Sequence, residues 1–132
     1  MTIFVDTGYF VALLAPRDQW HQIAVNALRP GLRLVTSSLV VNETISLLQA
    51  RGRLSAALEF LQRLRSDAEM QIMHVDARLQ ADAWDLFHKW GGAGANAVDC
   101  ASFAVMRAMN IKRAFTFDAH FGTAGFETLA QS

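Results

Sequence analysis

The chain has 132 residues, 52% of them hydrophobic, a size and composition that predict one domain with a sizeable buried core. Its single cysteine, Cys100, excludes a disulfide framework or cysteine-rich zinc module, and its longest apolar run, the seven residues Tyr9 to Ala15, is too short to span a membrane. Twelve Lys+Arg balance twelve Asp+Glu, and a net charge of zero argues against bulk electrostatic capture of nucleic acid.

In chain order, Thr2 to Asp6 is short, β-branched and aromatic, and predicts a buried strand ending on a carboxylate. Gly8 to Ala15 reads as a helix stopped by Pro16, and Asp18 to Leu28 as another, with Asp18 a candidate N-cap. Leu32 to Thr36 is the second strand. Ser37 or Ser38 caps a helix through Leu39, Val40, Glu43, Leu47 and Leu48 that ends near Gly52. Leu54, Leu58, Leu61 and Leu64 recur at spacings of three and four, which makes Leu54 to Arg65 an amphipathic helix. Gln71 to Val75 is a third strand, and Asp76 caps a helix through Leu79, Ala83, Leu86 and Phe87. A glycine-rich loop, 91–96, follows. Val98 to Met109 is helix, Arg113 to Phe117 a fourth strand, and the tail from Phe121 to Leu129 a short edge strand. Strands alternating with helices predict a three-layer α/β fold on a parallel sheet, with ligands at the carboxyl ends of its strands.

Charge is unevenly spread along this frame. Residues 1–66 hold seven arginines against four acids, net +3, and residues 67–132 hold five basic residues against eight acids, net −3. Arg51, Arg53, Arg63 and Arg65 form the densest basic cluster, either a solvated helix face or a phosphate-contacting rim. No basic segment precedes the apolar start of the chain, as it would in a signal peptide, so a soluble cytoplasmic protein is expected.

Four acids stand out against that frame. Asp6 and Asp118 close predicted strands and project at the carboxyl edge of the sheet. Glu43 lies between Leu39 and Leu47 on an apolar helix face, and Asp99 sits in the first turn of a helix rich in apolar residues. No basic residue lies within four positions of Asp6, Glu43 or Asp99, so local ion pairing does not account for them. Taken singly, Asp6 could cap a helix, Asp99 could answer a helix dipole and Asp118 could belong to a turn. Together at one sheet edge they would repel, and a hard divalent cation is the natural compensation. Nothing else in the chain forms a strong catalytic set. The four histidines lack zinc-site spacing, Gly91 to Gly94 lacks a P-loop ending, and Asp6-Thr7-Gly8 lacks the second aspartate of a haloacid-dehalogenase motif. Cys100, inside an apolar helix, reads as a packing residue.

The order of these segments resembles the PIN-domain superfamily, and within it the VapC-type toxins of toxin–antitoxin pairs. The resemblance spans the chain as a single PIN domain, residues 1–132, and rests on several stretches. They are Phe4-Val5-Asp6-Thr7, Asp18-Gln-Trp-His21-Gln-Ile-Ala24, Thr36-Ser-Ser-Leu-Val-Val-Asn-Glu43, Val98-Asp99-Cys100-Ala-Ser-Phe-Ala, and Thr116-Phe-Asp118-Ala-His-Phe121 with Gly125-Phe126. It implies a PIN-like α/β/α fold with four to five parallel strands. It also implies a Mg²⁺-dependent endoribonuclease, with Mn²⁺ able to substitute, in which Asp6, Glu43, Asp99 and Asp118 bind metal and metal-activated water attacks an RNA phosphodiester. Thr7 matches the Ser/Thr that assists the first aspartate in the family. Homodimers and a VapB-type antitoxin that covers the acidic site are implied as partners, with no membrane.

One departure is plain. Many relatives carry Ser or Thr and a further acid just before the third aspartate, where this chain has Gly91-Gly-Ala-Gly-Ala-Asn-Ala-Val98. Asn96 is left either as a substrate- or water-positioning group or as a helix cap, and the number of metal ions stays open. Two other readings compete with the ribonuclease: a metal-dependent nuclease on single-stranded or flap DNA, and a non-catalytic PIN-fold protein-binding module.

Overall fold

The computed structural model describes residues 1–129. Five parallel strands form one sheet: β1 (Thr2–Val5), β2 (Arg33–Ser37), β3 (Met70–Met73), β4 (Arg113–Phe115) and β5 (Glu127–Thr128), in the order β3-β2-β1-β4-β5. The chain therefore builds outward from β1 on one side and then returns to its other side. Helical crossovers between parallel strands are right-handed as a rule, and with this strand order that rule puts the helices of the two halves on opposite faces, the three-layer arrangement read from the sequence. The reversal opens a crevice between the carboxyl ends of β1 and β4, the place where open α/β sheets hold their ligands.

Among the described residues seven α-helices connect the strands: α1 (Thr7–Leu14), α2 (His21–Ala27), α3 (Ser38–Ala50), α4 (Leu54–Ser66), α5 (Ala77–Trp90), α6 (Ala97–Ala108) and α7 (Ala119–Thr123), with a short 3-10 turn at Gly91–Ala93. Caps act where the sequence places them. Ser37 accepts from the Val40 amide at the start of α3, and Asp76 accepts from the Leu79 amide at the start of α5. β1 is buried along Ile3, Phe4 and Val5, as a central strand covered on both faces must be. It packs in one core with Phe103, Val105, Met106 and Phe121. Cys100 is fully buried there, in accord with a packing role. Burial pushes its thiol pKa up, and Asp99 beside it adds to the effect.

Three expectations are corrected. Asp18 does not cap α2: its carboxylate accepts from the Trp20 amide in a local turn, and the helix begins only at His21. The fourth strand stops at Phe115, leaving Thr116 and Phe117 in an extended connection before Asp118. The tail is more than an edge strand. Asp118 accepts from the His120 amide and starts the short helix α7, and only Glu127–Thr128 then pairs with β4.

Candidate functional site

Asp6 is fixed by both neighbours of β1. Its amide donates to the Phe115 carbonyl at 3.0 Å, and Thr36 Oγ1 donates to the Val5 carbonyl at 2.8 Å. The carboxylate is only 5% exposed and accepts from Thr116 Oγ1 at 2.8 Å. Burial dominates its electrostatics and raises its pKa to about 7; the Thr116 hydroxyl opposes the shift, while the negative charges of Asp99 and Asp118 add to it.

Asp99 is held by a reciprocal cap. Asn96 Oδ1 accepts from the Asp99 amide at 2.9 Å, and Asp99 Oδ2 accepts from the Asn96 amide at 3.0 Å. Asn96 is thus the helix cap, and through that cap it orients the Asp99 side chain. Desolvation lifts the Asp99 pKa to about 6; the Asn96 amide and His120 oppose the rise, and Asp118 and Glu43 reinforce it.

Asp118 follows β4 and is half-buried. Its amide donates to Thr116 Oγ1 at 3.0 Å. Carboxylate oxygens of Asp99 and Asp118 and a ring nitrogen of His120 lie within 4.8 Å of one another, a spacing that one metal ion could bridge. His120 Nδ1 is 2.6 Å from Asp118 Oδ1 but off the hydrogen-bond direction, so the contact is proximity without a hydrogen bond. Glu43 is half-buried on α3 and reaches the group through its charge on Asp99. Its apolar-stripe placement is only partly met, since Leu47 one turn on is exposed.

The structure thus brings Asp99 and Asp118 within ligand spacing at the switch point, with Asp6 tied to Asp118 through Thr116 and with Glu43 near enough for its charge to act on Asp99. Thr116 and His120 belong to the same constellation but carried no role in the sequence reading. Their signal was the spacing of two residues on either side of Asp118, which acquires meaning only once the strand ends are placed. The residues present fit a cation. Two buried carboxylates carry raised pKa values, and among the described residues Thr7 Oγ1 and His120 Nδ1 are the buried side-chain polar atoms without a hydrogen-bond partner. A cavity of about 820 Å³ opens at the opposite edge of the sheet, between Thr2, Arg33, Gln71, Lys112 and Arg113, and none of the four acids lines it.

Residues 3–127 match the PIN domain family. This chain belongs to it. The 23S rRNA-specific endonuclease VapC20 from two strains of Mycobacterium tuberculosis is 36% identical over 126 residues, covering 94% of this chain and 95% of the relative. The crystal structure of VapC20 from Mycobacterium tuberculosis, described as a Sarcin-Ricin loop cleaving toxin, aligns with a TM-score of 0.85 and 34% identity over 94% of this chain and 95% of that one. VapBC2 from Rickettsia felis, bound to a promoter DNA fragment, shares the fold at a TM-score of 0.71 and 14% identity, with 97% of both chains covered. FitAcB from Neisseria gonorrhoeae does so at 0.68 and 17%, over 97% of this chain and 96% of its own. PIN nucleases depend on divalent metal, and the acidic cluster of this PIN domain supplies an oxygen-rich donor set for one. No helix among the described residues is long and apolar enough to cross a membrane.

Proposed function

We propose that this chain is a Mg²⁺-dependent endoribonuclease, the toxin of a VapBC-type pair, and that its whole length forms one PIN domain. The observation that carries this reading is the convergence of Asp6, Asp99 and Asp118, two of them with pKa values raised by burial, at the crevice between β1 and β4. Asp6, Asp99 and Asp118 would hold the cation, with Glu43 at its rim and Thr7 Oγ1 available as an auxiliary oxygen. All are hard oxygen donors, which favours Mg²⁺, and the nearby His120 nitrogen makes Mn²⁺ an acceptable substitute. Bound there, the ion would lower the pKa of a coordinated water and neutralise charge on the phosphodiester. The chain's own part is to hold the carboxylates rigidly. Thr116 fixes Asp6, the Asn96 cap fixes Asp99, and the short helix α7 fixes Asp118.

The 36% identity to a 23S rRNA-specific endonuclease supports ribosomal RNA as the first substrate to try. A zero net charge fits local recognition of a structured RNA better than coating of it. We also propose a cytoplasmic location, a VapB-type antitoxin partner and a homodimer. Leu54 and Leu58 on α4, and Trp84 and Phe87 on α5, are exposed large apolar side chains that such contacts would cover.

The test is cleavage of a labelled RNA pool by antitoxin-free protein with Mg²⁺, with Mn²⁺ and with EDTA, beside an Asp99→Asn sample prepared in parallel. Discrete metal-dependent products that the variant does not give are expected. Cleavage of single-stranded or flap DNA alone would move the protein to the DNA-directed reading. Silence on every nucleic acid would leave a protein-binding module.

A further inference from the structure

An aromatic ladder climbs from the core to the surface next to the acids. Phe115, at the end of β4, stacks on Tyr9 of α1 at 4.8 Å between ring centroids. Tyr9 in turn stacks on Phe117 at 6.5 Å, and Phe117 stacks on Trp20 at 5.0 Å with the rings only 10° from parallel. Phe115 and Tyr9 are buried, Phe117 is half-buried, and Trp20 is 37% exposed. The series of stacked rings therefore ends in an indole backed by Phe117 and partly open to solvent.

The ladder is tied to the acidic site by covalent geometry. Phe117 lies between Thr116, which holds Asp6, and Asp118. Trp20 itself is fixed before any ligand arrives. Its amide donates to Asp18 Oδ1 at 2.8 Å, the Asp18 amide donates to the Ala15 carbonyl at 2.9 Å, and the His21 ring contacts the Ala12 carbonyl at 2.8 Å. Arg53 donates to the Leu14 carbonyl at 2.9 Å and so draws the α3–α4 turn, with the exposed Arg51, against the loop that carries the exposed Arg17. Neither Arg17 nor Arg51 makes an ion pair among the described residues.

A preformed, partly exposed aromatic surface on a loop with exposed arginines that make no ion pair among the described residues suits one class of ligand. Unpaired nucleobases stack on such faces while Arg and Lys take the neighbouring phosphates. Resting on the ribonuclease reading above, we infer that Trp20, backed by Phe117, is a stacking platform for an unpaired base of the RNA substrate beside the scissile phosphate, with Arg17 and Arg51 as phosphate contacts. Trp20 is then a positioning and specificity residue rather than a catalytic one.

The experiment uses the full chain. On the cleavage-deficient Asp99→Asn background, tryptophan fluorescence is followed without metal as a short single-stranded RNA is added. Quenching is expected, Trp20→Leu should remove it, and Trp84→Leu, which loses an exposed indole on α5, should leave it intact. In the active chain, Trp20→Leu should raise KM for RNA roughly five- to a hundred-fold with kcat nearly unchanged, and Trp20→Phe should restore most of the loss. Unchanged KM and unchanged quenching in Trp20→Leu would overturn the platform. So would a variant that handles RNA normally but no longer binds a protein antitoxin, since the indole would then serve a protein partner. If the wild-type chain cleaves no RNA, the ribonuclease reading fails by itself, and the metal-free quenching still decides whether Trp20 stacks on nucleic acid.

Discussion

Thr116 Oγ1 donates to Asp6 Oδ2 at 2.8 Å across 110 residues of sequence, and the same hydroxyl accepts from the Asp118 amide at 3.0 Å. One small polar side chain therefore positions the acid that closes β1 and the acid that follows β4. It also favours the charged form of Asp6 against the burial that disfavours it. Thr116→Val keeps the shape and removes both bonds. It should cost about 1–3 kcal/mol of stability, because a buried carboxylate and an amide lose their partner. It should also raise the Asp6 pKa further and weaken Mn²⁺ binding at neutral pH, with Thr116→Ser recovering most of both. Calorimetric metal titration and urea denaturation of the three proteins check this. Wild-type Mn²⁺ affinity in Thr116→Val would show that the hydroxyl does not organise the site.

A second expectation concerns pH. Asp6 titrates near 7 and Asp99 near 6 in the metal-free fold, both above the ordinary carboxylate range. Between about pH 4 and about pH 7 the folded chain thus holds protons that the unfolded chain has released, so the contribution of these groups to stability falls as pH rises. Each unit of difference corresponds to ~1.4 kcal/mol. A divalent ion replaces the proton as the compensating charge, so Mg²⁺ should raise the melting temperature more at about pH 8 than at about pH 5. Asp6→Asn should stabilise the metal-free protein at the higher pH and abolish most of the Mg²⁺ effect. Melting curves across that range, with and without Mg²⁺, would show it; a metal shift independent of pH would contradict it.

Asp6, Asp99 and Asp118 are legible in the sequence because each marks a local transition, whereas Glu43 is marked only by its apolar neighbours within α3. Asp6 and Asp118 stand where an apolar strand gives way to a helix, and Asp99 stands in the first turn of one. Their partners were not legible, since Thr116 meets Asp6 only after β1 and β4 pair, and His120 meets Asp99 only through tertiary packing. The helix α7 leaves no trace in the sequence pattern because five residues are too few to show a helical period. Asp18 looks like a cap in sequence because an aspartate that bonds the amide two residues on makes a turn with the same residue type, and here that turn holds Trp20 instead of starting α2. The ladder from Phe115 to Trp20 joins two distant segments, and no spacing within either one announces it.

Asn96 joins helix stability to site geometry. Asn96→Ala removes the cap on the Asp99 amide and should cost about 0.5–2 kcal/mol, as such caps do elsewhere. The Asp99 carboxylate keeps its bond from the backbone amide of residue 96, but that amide then sits at an uncapped, fraying helix start, so RNA cleavage should fall more than the small loss of stability explains. Asn96→Ser should keep the cap and most of the activity. Urea denaturation beside cleavage rates at saturating Mg²⁺ separates the two effects. Loss of stability with full activity would mean that Asn96 is only a cap.

Gly94 and Gly125 offer a matched pair. Both adopt left-handed backbone, with φ of 104° and 100°, so alanine at either position should cost about 1–2 kcal/mol in strain. They differ in surroundings. A Cβ at Gly125 would meet nothing within 4 Å, whereas one at Gly94 would come within 2.8 Å of His120 Nε2. The imidazole cannot yield without disturbing its 2.6 Å approach to Asp118, so Gly94→Ala should also weaken Mn²⁺ binding and slow cleavage, while Gly125→Ala should leave both near wild type. Gly94→Ala combined with His120→Ala removes the clash and should return stability to that of the single His120→Ala variant less the backbone strain. Denaturation and Mn²⁺ titration of these four variants beside the wild type measure the two contributions separately. Equal metal affinity in the two glycine variants would show that His120 has room to move and that the glycine loop does not constrain the acidic site.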